Sequence, residues 1–222
     1  MSASRLRVAV LASGRGSNLQ ALIAARDAGT LPVDLVAVGS DKDDAGALQL
    51  AKKAGIPTFS LDPKAFARRK DFDFELFRRL TATGAQALVL AGFMRIIDGA
   101  ALAPWVGRMI NIHPSLLPKY RGLHTHRRAL DAGDTEHGAS VHYVTAELDG
   151  GPVIAQARID MVPGDDESAL AQRLLGFEHQ LLPAVLALMA DGRIDFIAPN
   201  RVALDGKLLD APLQLRNGTL VD

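Results

Sequence analysis

Apolar runs and amphipathic stretches alternate through the first half of the chain. Residues 6–12 predict a buried strand and 18–28 a helix closed by Gly29. A strand over 33–39 and a helix over 45–54, ended by Gly55 and Pro57, come next. A brief strand at 58–61, a charged helix at 68–83 and strands at 87–91 and 108–113 follow. These strands are apolar throughout rather than alternating, as strands covered on both sides are. The βαβα order then predicts an α/β fold: an open, mostly parallel sheet with helices on both faces.

The second half changes character. Strands at 139–145 and 153–160 are separated by Asp149-Gly150-Gly151-Pro152, which reads as the turn of an antiparallel hairpin. A long helix over 168–190 is entered through Asp165, Asp166 and Glu167, whose charge suits a helix N-terminus. Asp205-Gly206 and Asn217-Gly218 have the form of tight hairpin turns. No repeat, low-complexity tract or linker interrupts residues 1–222, so a single domain is expected.

Composition narrows the function classes. Lys plus Arg and Asp plus Glu both number 25, so no net field draws in nucleic acid or an anionic membrane. A phosphorylated small molecule remains possible, because one loop can hold it. Cysteine is absent, which removes disulfide and thiolate chemistry. The apolar run 8–12 is too short for a signal or a membrane span, and a cytoplasmic protein is expected.

Two segments carry candidate chemistry. Ser13-Gly14-Arg15-Gly16-Ser17-Asn18 joins the first strand to the first helix. Its glycines permit unusual backbone angles, and the helix start offers unpaired N–H groups to a phosphate. A side chain at Gly16 is expected to obstruct that approach. A dinucleotide fingerprint would place a third glycine at Leu19, and the acidic residue that should follow is late, at Asp41. The competing structural reading is a tight turn with Ser17 or Asn18 as helix cap.

The second segment is Asn111-Ile112-His113-Pro114. Residues two apart on a strand share a face, so Asn111 and His113 point one way, at the end where open parallel sheets bind ligands. An amide beside an imidazole suits a carbonyl that becomes an oxyanion, although two hydrogen-bonded residues closing a strand would look alike. Asp149 is a turn residue on local grounds. Its functional reading is a carboxylate near His113 that raises the pKa of that ring, with Gly150 and Gly151 admitting a ligand or water. Five of six histidines fall between His113 and His142, yet no metal is expected, because neither cysteine nor a metal-ligand motif accompanies His124 and His126.

Taken together, VLASGRGSNLQALI, LAGFMRII, NIHPSLLPKYRGLHTHRRAL and GASVHYVTAELDGGPVIAQ resemble the folate-dependent glycinamide ribonucleotide formyltransferases of purine synthesis over nearly the whole chain. The resemblance implies a Rossmann-like formyltransferase fold, with a phosphate-binding half (1–105) and a catalytic and folate-binding half (106–222). It implies a catalytic trio of Asn111, His113 and Asp149, and ribonucleotide contacts from Gly16, Ser17, Asn18 and Glu178. The folate, 10-formyltetrahydrofolate, would lie along Met94, Arg95, Ile96 and Ile97 and touch Asn111. Arg69, or the adjacent Arg68, would meet its glutamate tail. Partners would be small molecules only, with no nucleic acid or membrane, and the protein a monomer or homodimer. Methionyl-tRNA formyltransferases share the Asn-x-His-Pro core, but Leu123-His124-Thr125-His126 replaces their small-residue run and no basic tRNA domain is evident. Formyltetrahydrofolate deformylases carry a regulatory domain and a different histidine segment. A nucleotide-binding module without catalysis would leave the polar strand end unexplained.

Overall fold

A computed structural model describes residues 5–222, which divide into two compact units, the first ending at Asn111 and the second starting at Ile112. The first unit contains β1 (Leu6–Leu11), α1 (Ser17–Asp27), β2 (Val33–Ser40), α2 (Gly46–Lys53) and β3 (Thr58–Ser60). It continues with α3 (Arg69–Ala82), β4 (Ala87–Leu90), α4 (Gly99–Leu102) and the start of β5 (Met109–His113). Its strands are all parallel, in the order β3-β2-β1-β4-β5. Val8 to Leu11 and Val89 are fully buried, as their unbroken apolar run required. The chain leaves β1 for β2 on one side and β4 flanks it on the other, which makes the carboxyl end of β1 a topological switch point.

The glycine loop sits there, and its local structure corrects one expectation. Neither Ser17 nor Asn18 caps α1; the cap position is Gly16, with φ 84° and no side-chain hydrogen bond. Ser17 and Asn18 stand in the first helical turn, where N–H groups have no partner within the helix. The obstacle to a side chain at Gly16 is also not a ligand. An added Cβ would lie 2.8 Å from Ala47 Cα on α2, besides the positive φ. Open space adjoins Gly14 instead.

The second unit holds α5 (Thr125–Asp131), β6 (Glu136–Tyr143), β7 (Val153–Asp160) and α6 (Glu167–Ala190). Its strands β11 (Leu213–Arg216) and β12 (Thr219–Val221) extend the order β6-β7-β11-β12, with β11 parallel to β7 and the other pairs antiparallel. A separate antiparallel sheet comprises β8 (Ile194–Ile197), β9 (Arg201–Leu204) and β10 (Lys207–Leu208). The α/β class, with a mostly parallel central sheet and antiparallel strands in the C-terminal part, is the one expected. Asp205-Gly206 and Asn217-Gly218 both have positive φ and close two-residue hairpins. Asp166 Oδ1 accepts the Ala169 N–H at 2.7 Å and caps α6. The β6–β7 pairing departs from the expected tight turn. β6 starts at Glu136, bulges between Val141 and His142 and ends at Tyr143, so residues 144–152 form the connection. The sequence pattern does not reveal α4 or α5, because each is too short to show a helical period. Among the described residues no helix is long and apolar enough to cross a membrane.

Within the second unit, His126 Nδ1 on α5 lies 3.0 Å from His137 Nε2 on β6, so one proton joins the two rings. Burial, reinforced by the charge of His126, pushes His137 down to about 4, and burial also lowers His126. A histidine whose folded pKa is depressed contributes stability above its unfolded value of about 6.5, and loses that contribution as pH falls through the folded value.

Two outcomes follow for the fold. Gly16→Ala should cost on the order of 1–3 kcal/mol, the range for non-glycine residues forced to positive φ, read as a lower denaturant midpoint. The midpoint of the unaltered protein should itself fall as pH drops from about 6.5 toward about 4, and His137→Gln should flatten that fall. A midpoint independent of pH in this window would show that the histidine pair does not matter to stability.

Candidate active site

Residues 92–98 leave β4 beside the glycine loop of the first unit. Ser13 N–H donates to Gly92 O at 3.0 Å, and Met94 N–H donates to Ser13 Oγ at 3.0 Å, so the two segments are tied together. Met94 and Ile96 are strongly exposed for apolar residues, at 67% and 53%, whereas Ile97 turns inward and is buried. Exposed apolar side chains side by side on a tethered loop mark a contact surface. The Arg95 guanidinium stacks 4.8 Å over the Phe72 ring and lies 3.9 Å from Asp41 Oδ2. Its Nε is buried with no hydrogen-bond partner, as is Asp73 Oδ1.

Asp73, wholly buried on α3, ends this segment by accepting the Asp98 N–H at 2.9 Å. Burial raises its carboxyl above the ordinary range, against the pull of that N–H and of Arg69 and Arg95. The two adjacent arginines part company here. Arg68 holds Asp71 with both fork nitrogens, at 2.9 and 2.7 Å, while Arg69 approaches Asp73 only at 4.0 Å. Arg69 therefore keeps more of its donor capacity for a ligand.

β5 carries Asn111 and His113 on one face, with Ile110 and Ile112 buried on the other. In the second unit, His113 Nε2 lies 2.9 Å from Tyr120 O, and Nδ1 lies 3.5 Å from Asp149 Oδ2. Gly122 N–H donates to that same oxygen at 2.9 Å, and His142 Nε2 lies 3.6 Å from Oδ1. A buried polar frame sets the position of Tyr120. Ser140 Oγ donates to Ser115 O (2.7 Å) and accepts the Leu117 N–H (3.0 Å). Gln156 Nε2 reaches both Leu117 O and Ser140 Oγ, and Ser115 Oγ donates to Lys119 O.

Asp149 is at once a turn residue and a member of this cluster. Its φ is 46°, in the left-handed region that Asp tolerates, and its carboxylate faces two histidines. The neighbouring glycines answer to the chain rather than to a ligand: a Cβ at Gly151 would fall 1.8 Å from Tyr143 O. Burial pushes the Asp149 carboxyl up, but the hydrogen bond from His142, the charge of His113 and the Gly122 N–H bring it below its ordinary value.

Asp149 pulls the His113 pKa up as expected, but the net shift is downward. Burial pushes the ring down; Asp149 and Tyr120 O push it back without restoring it, and His142 and Arg128 lower it further.

Glu178 breaks an apolar stripe on α6, where Leu170, Leu174, Leu181, Leu182 and Val185 are its buried neighbours along the helix. Such a carboxylate on a core face is costly unless it is paired or hydrogen-bonded. His142, Ser140, Gln156 and Tyr120 were not singled out by sequence reasoning. Ser140 and His142 had the same signal as Asn111 and His113, polar side chains two apart on an apolar strand; the backbone oxygen of Tyr120 had none. Among the described residues no three His, Asp or Glu side chains gather as a metal site would require.

Known proteins are similar to this chain over most of its length. The formyl transferase family model matches residues 6–186. Phosphoribosylglycinamide formyltransferase of Escherichia coli (strain K12) is 48% identical over 204 residues, covering 92% of this chain and 96% of that protein. The human trifunctional purine biosynthetic protein adenosine-3 is 40% identical over 190 residues, 86% of this chain but 19% of its own length. The structure of the Coxiella burnetii phosphoribosylglycinamide formyltransferase superposes with a TM-score of 0.88 at 48% identity, covering 92% of this chain and 96% of that one. This chain belongs to the formyl transferase family.

Proposed function

We propose that this protein transfers the formyl group of 10-formyltetrahydrofolate to the amine of glycinamide ribonucleotide, giving formylglycinamide ribonucleotide and tetrahydrofolate in purine synthesis. The observation that carries the reading is the His113–Asp149 pair, 3.5 Å apart, at the end of the strand that also bears Asn111. The E. coli and Coxiella relatives, which match the chain almost end to end, support the same activity.

The uncapped start of α1, with Ser17 and Asn18 in its first turn, suits the ribonucleotide phosphate. Glu178 is a buried carboxylate that suits a hydroxyl or amine of the same substrate. Exposed Met94 and Ile96 beside the unpartnered Arg95 Nε fit a flat heteroaromatic ring that needs both apolar cover and a donor. Arg69 suits the glutamate carboxylates. The two halves act as one formyltransferase domain on small molecules, without a metal.

The substrate amine forms a bond to the formyl carbon, whose oxygen takes up the negative charge. The bond from that carbon to the folate nitrogen then breaks, and a proton passes from the amine to the departing nitrogen. The Asn111 amide donates to the forming oxyanion. His113, beside Asp149, is placed to take the proton that the attacking amine loses and to return it, through water, to the departing nitrogen. An interaction that strengthens on the way to the transition state is the kind that raises rate. Asp149 balances the imidazolium and orders the water that carries the proton.

Mixing the protein with both substrates should release tetrahydrofolate, and leaving out the ribonucleotide should abolish that release. Release without ribonucleotide would mark a hydrolase instead. Asp149→Asn isolates the carboxylate charge, because Asn tolerates the same positive φ. It should lower the rate by about 10²–10⁴ with folding intact. His113 should also titrate at still lower pH, since Asp149 is what holds its pKa up. A wild-type rate would leave Asp149 a turn residue only. Arg69→Ala should raise KM for the folate more than Arg68→Ala does, and equal effects would remove Arg69 from the folate site.

A further inference from the structure

Arg69, Phe72 and Asp73 stand three and four residues apart on α3 and so share one face of that helix. All three bear on the proposed folate side of the site. Arg69 is the guanidinium that keeps its donors, with Nε 4.0 Å from Asp73 Oδ2. Phe72, fully buried, is the platform over which the Arg95 guanidinium stacks at 4.8 Å. Its ring is itself fixed edge-on against Phe66, with centroids 5.7 Å apart. Asp73 Oδ2 accepts the Asp98 N–H at 2.9 Å.

A wholly buried carboxylate is a costly way to satisfy one N–H. Asp73 Oδ1 has no hydrogen-bond partner, and the same holds for Arg95 Nε and Asp41 Oδ1, which face each other across the same cluster. Burial outweighs the Asp98 N–H and the charges of Arg69 and Arg95, so Asp73 adds nothing to stability as an anion. Its position shows what it does supply. The 92–98 segment presents Met94, Arg95 and Ile96, and its start is tied to the glycine loop through Ser13. Its end is Asp98, whose Oδ1 caps α4 by accepting the Ala100 N–H at 2.9 Å, while its own N–H goes to Asp73. A segment held at both ends keeps its exposed apolar side chains in one arrangement, which spares a ligand the cost of ordering them.

We infer that Asp73 is a positioning residue for the folate: it ties the end of the 92–98 segment to α3 through the Asp98 N–H, and its charge draws Arg69 and Arg95 to the same helix face. The pteridine end and the glutamate end of the ligand then meet groups organised by a single helix. The inference rests on the proposed folate site for its effect on binding; the tie itself belongs to the unliganded protein.

Hydrogen exchange on the unliganded full chain reads the tie directly. The Asp98 amide should exchange slowly in the wild type and in Asp73→Asn, which keeps an acceptor, and quickly in Asp73→Ala. A segment in place only a tenth of the time binds about tenfold more weakly. Asp73→Ala should therefore raise KM for 10-formyltetrahydrofolate about tenfold, with kcat and the KM for the ribonucleotide changing much less. Asp73→Asn should recover most of that loss and unfold at the same or a higher denaturant concentration, because it takes a charge out of the core. Should Asp73→Ala fail to fold, Asp73→Leu, which refills the space, makes the same comparison. A fast-exchanging Asp98 amide in the wild type, or equal losses for the two substrates in the alanine variant, overturns the inference. A protected amide that Asp73→Ala exposes, in a protein that binds no reduced folate, would instead overturn the proposed folate site and not the tie.

Discussion

A carboxylate taken out of water has to be met by donors or charge, and Asp149 shows how much structure that demand organises. Its oxygens are met by the Gly122 N–H, by His113 and by His142, which reach it from three different segments of the second unit. Each partner needs support of its own. His113 is oriented by the backbone oxygen of Tyr120, and Tyr120 is held by a loop pinned through Ser115, Ser140, Leu117 and Gln156. Removing any of these groups would leave a buried polar atom unpaired, at a cost of roughly 1–3 kcal/mol. The stability of the loop and the geometry of the trio therefore depend on the same hydrogen bonds.

Burial also sets the electrostatic character of the site. The expectation that Asp149 raises the pKa of His113 had the right sign for the pair and the wrong outcome for the ring. The desolvation of His113 is larger than the attraction of one carboxylate that it shares with another histidine. In the first unit, Asp73 follows the same rule with a different result. Its carboxyl is pushed up because a single N–H and two distant arginines do not offset full burial.

The glycines illustrate a different limit. Gly16 and Gly151 both looked like openings for a ligand. At Gly16 the backbone adopts a left-handed angle against Ala47, and at Gly151 it passes under Tyr143 O. Each is required by the packing of one chain segment on another. Only at Gly14 does the loop adjoin open space. The phosphate-binding reading thus rests on the uncapped helix start and not on the glycine that first suggested it.

The alternation of apolar runs with amphipathic stretches determined the α/β class, the parallel strands and the long helix, because buried faces impose a period on the chain. The pairing of Asn111 with His113 was legible for the same reason, since side chains two apart on a strand share a face. Tight turns at Asp205-Gly206 and Asn217-Gly218 were legible because few other residues take positive φ there. Contacts between residues distant along the chain leave no such periodic trace. The carboxylate of Asp149 lies beside a histidine thirty-odd residues earlier only because β6 and β7 pair across a nine-residue connection. Whether His113 is charged, which of Arg68 and Arg69 keeps its donors, and that His142 shares the carboxylate were decided by the tertiary structure alone. Burial and the competition of neighbours for one partner arise only when the folded chain brings those groups together.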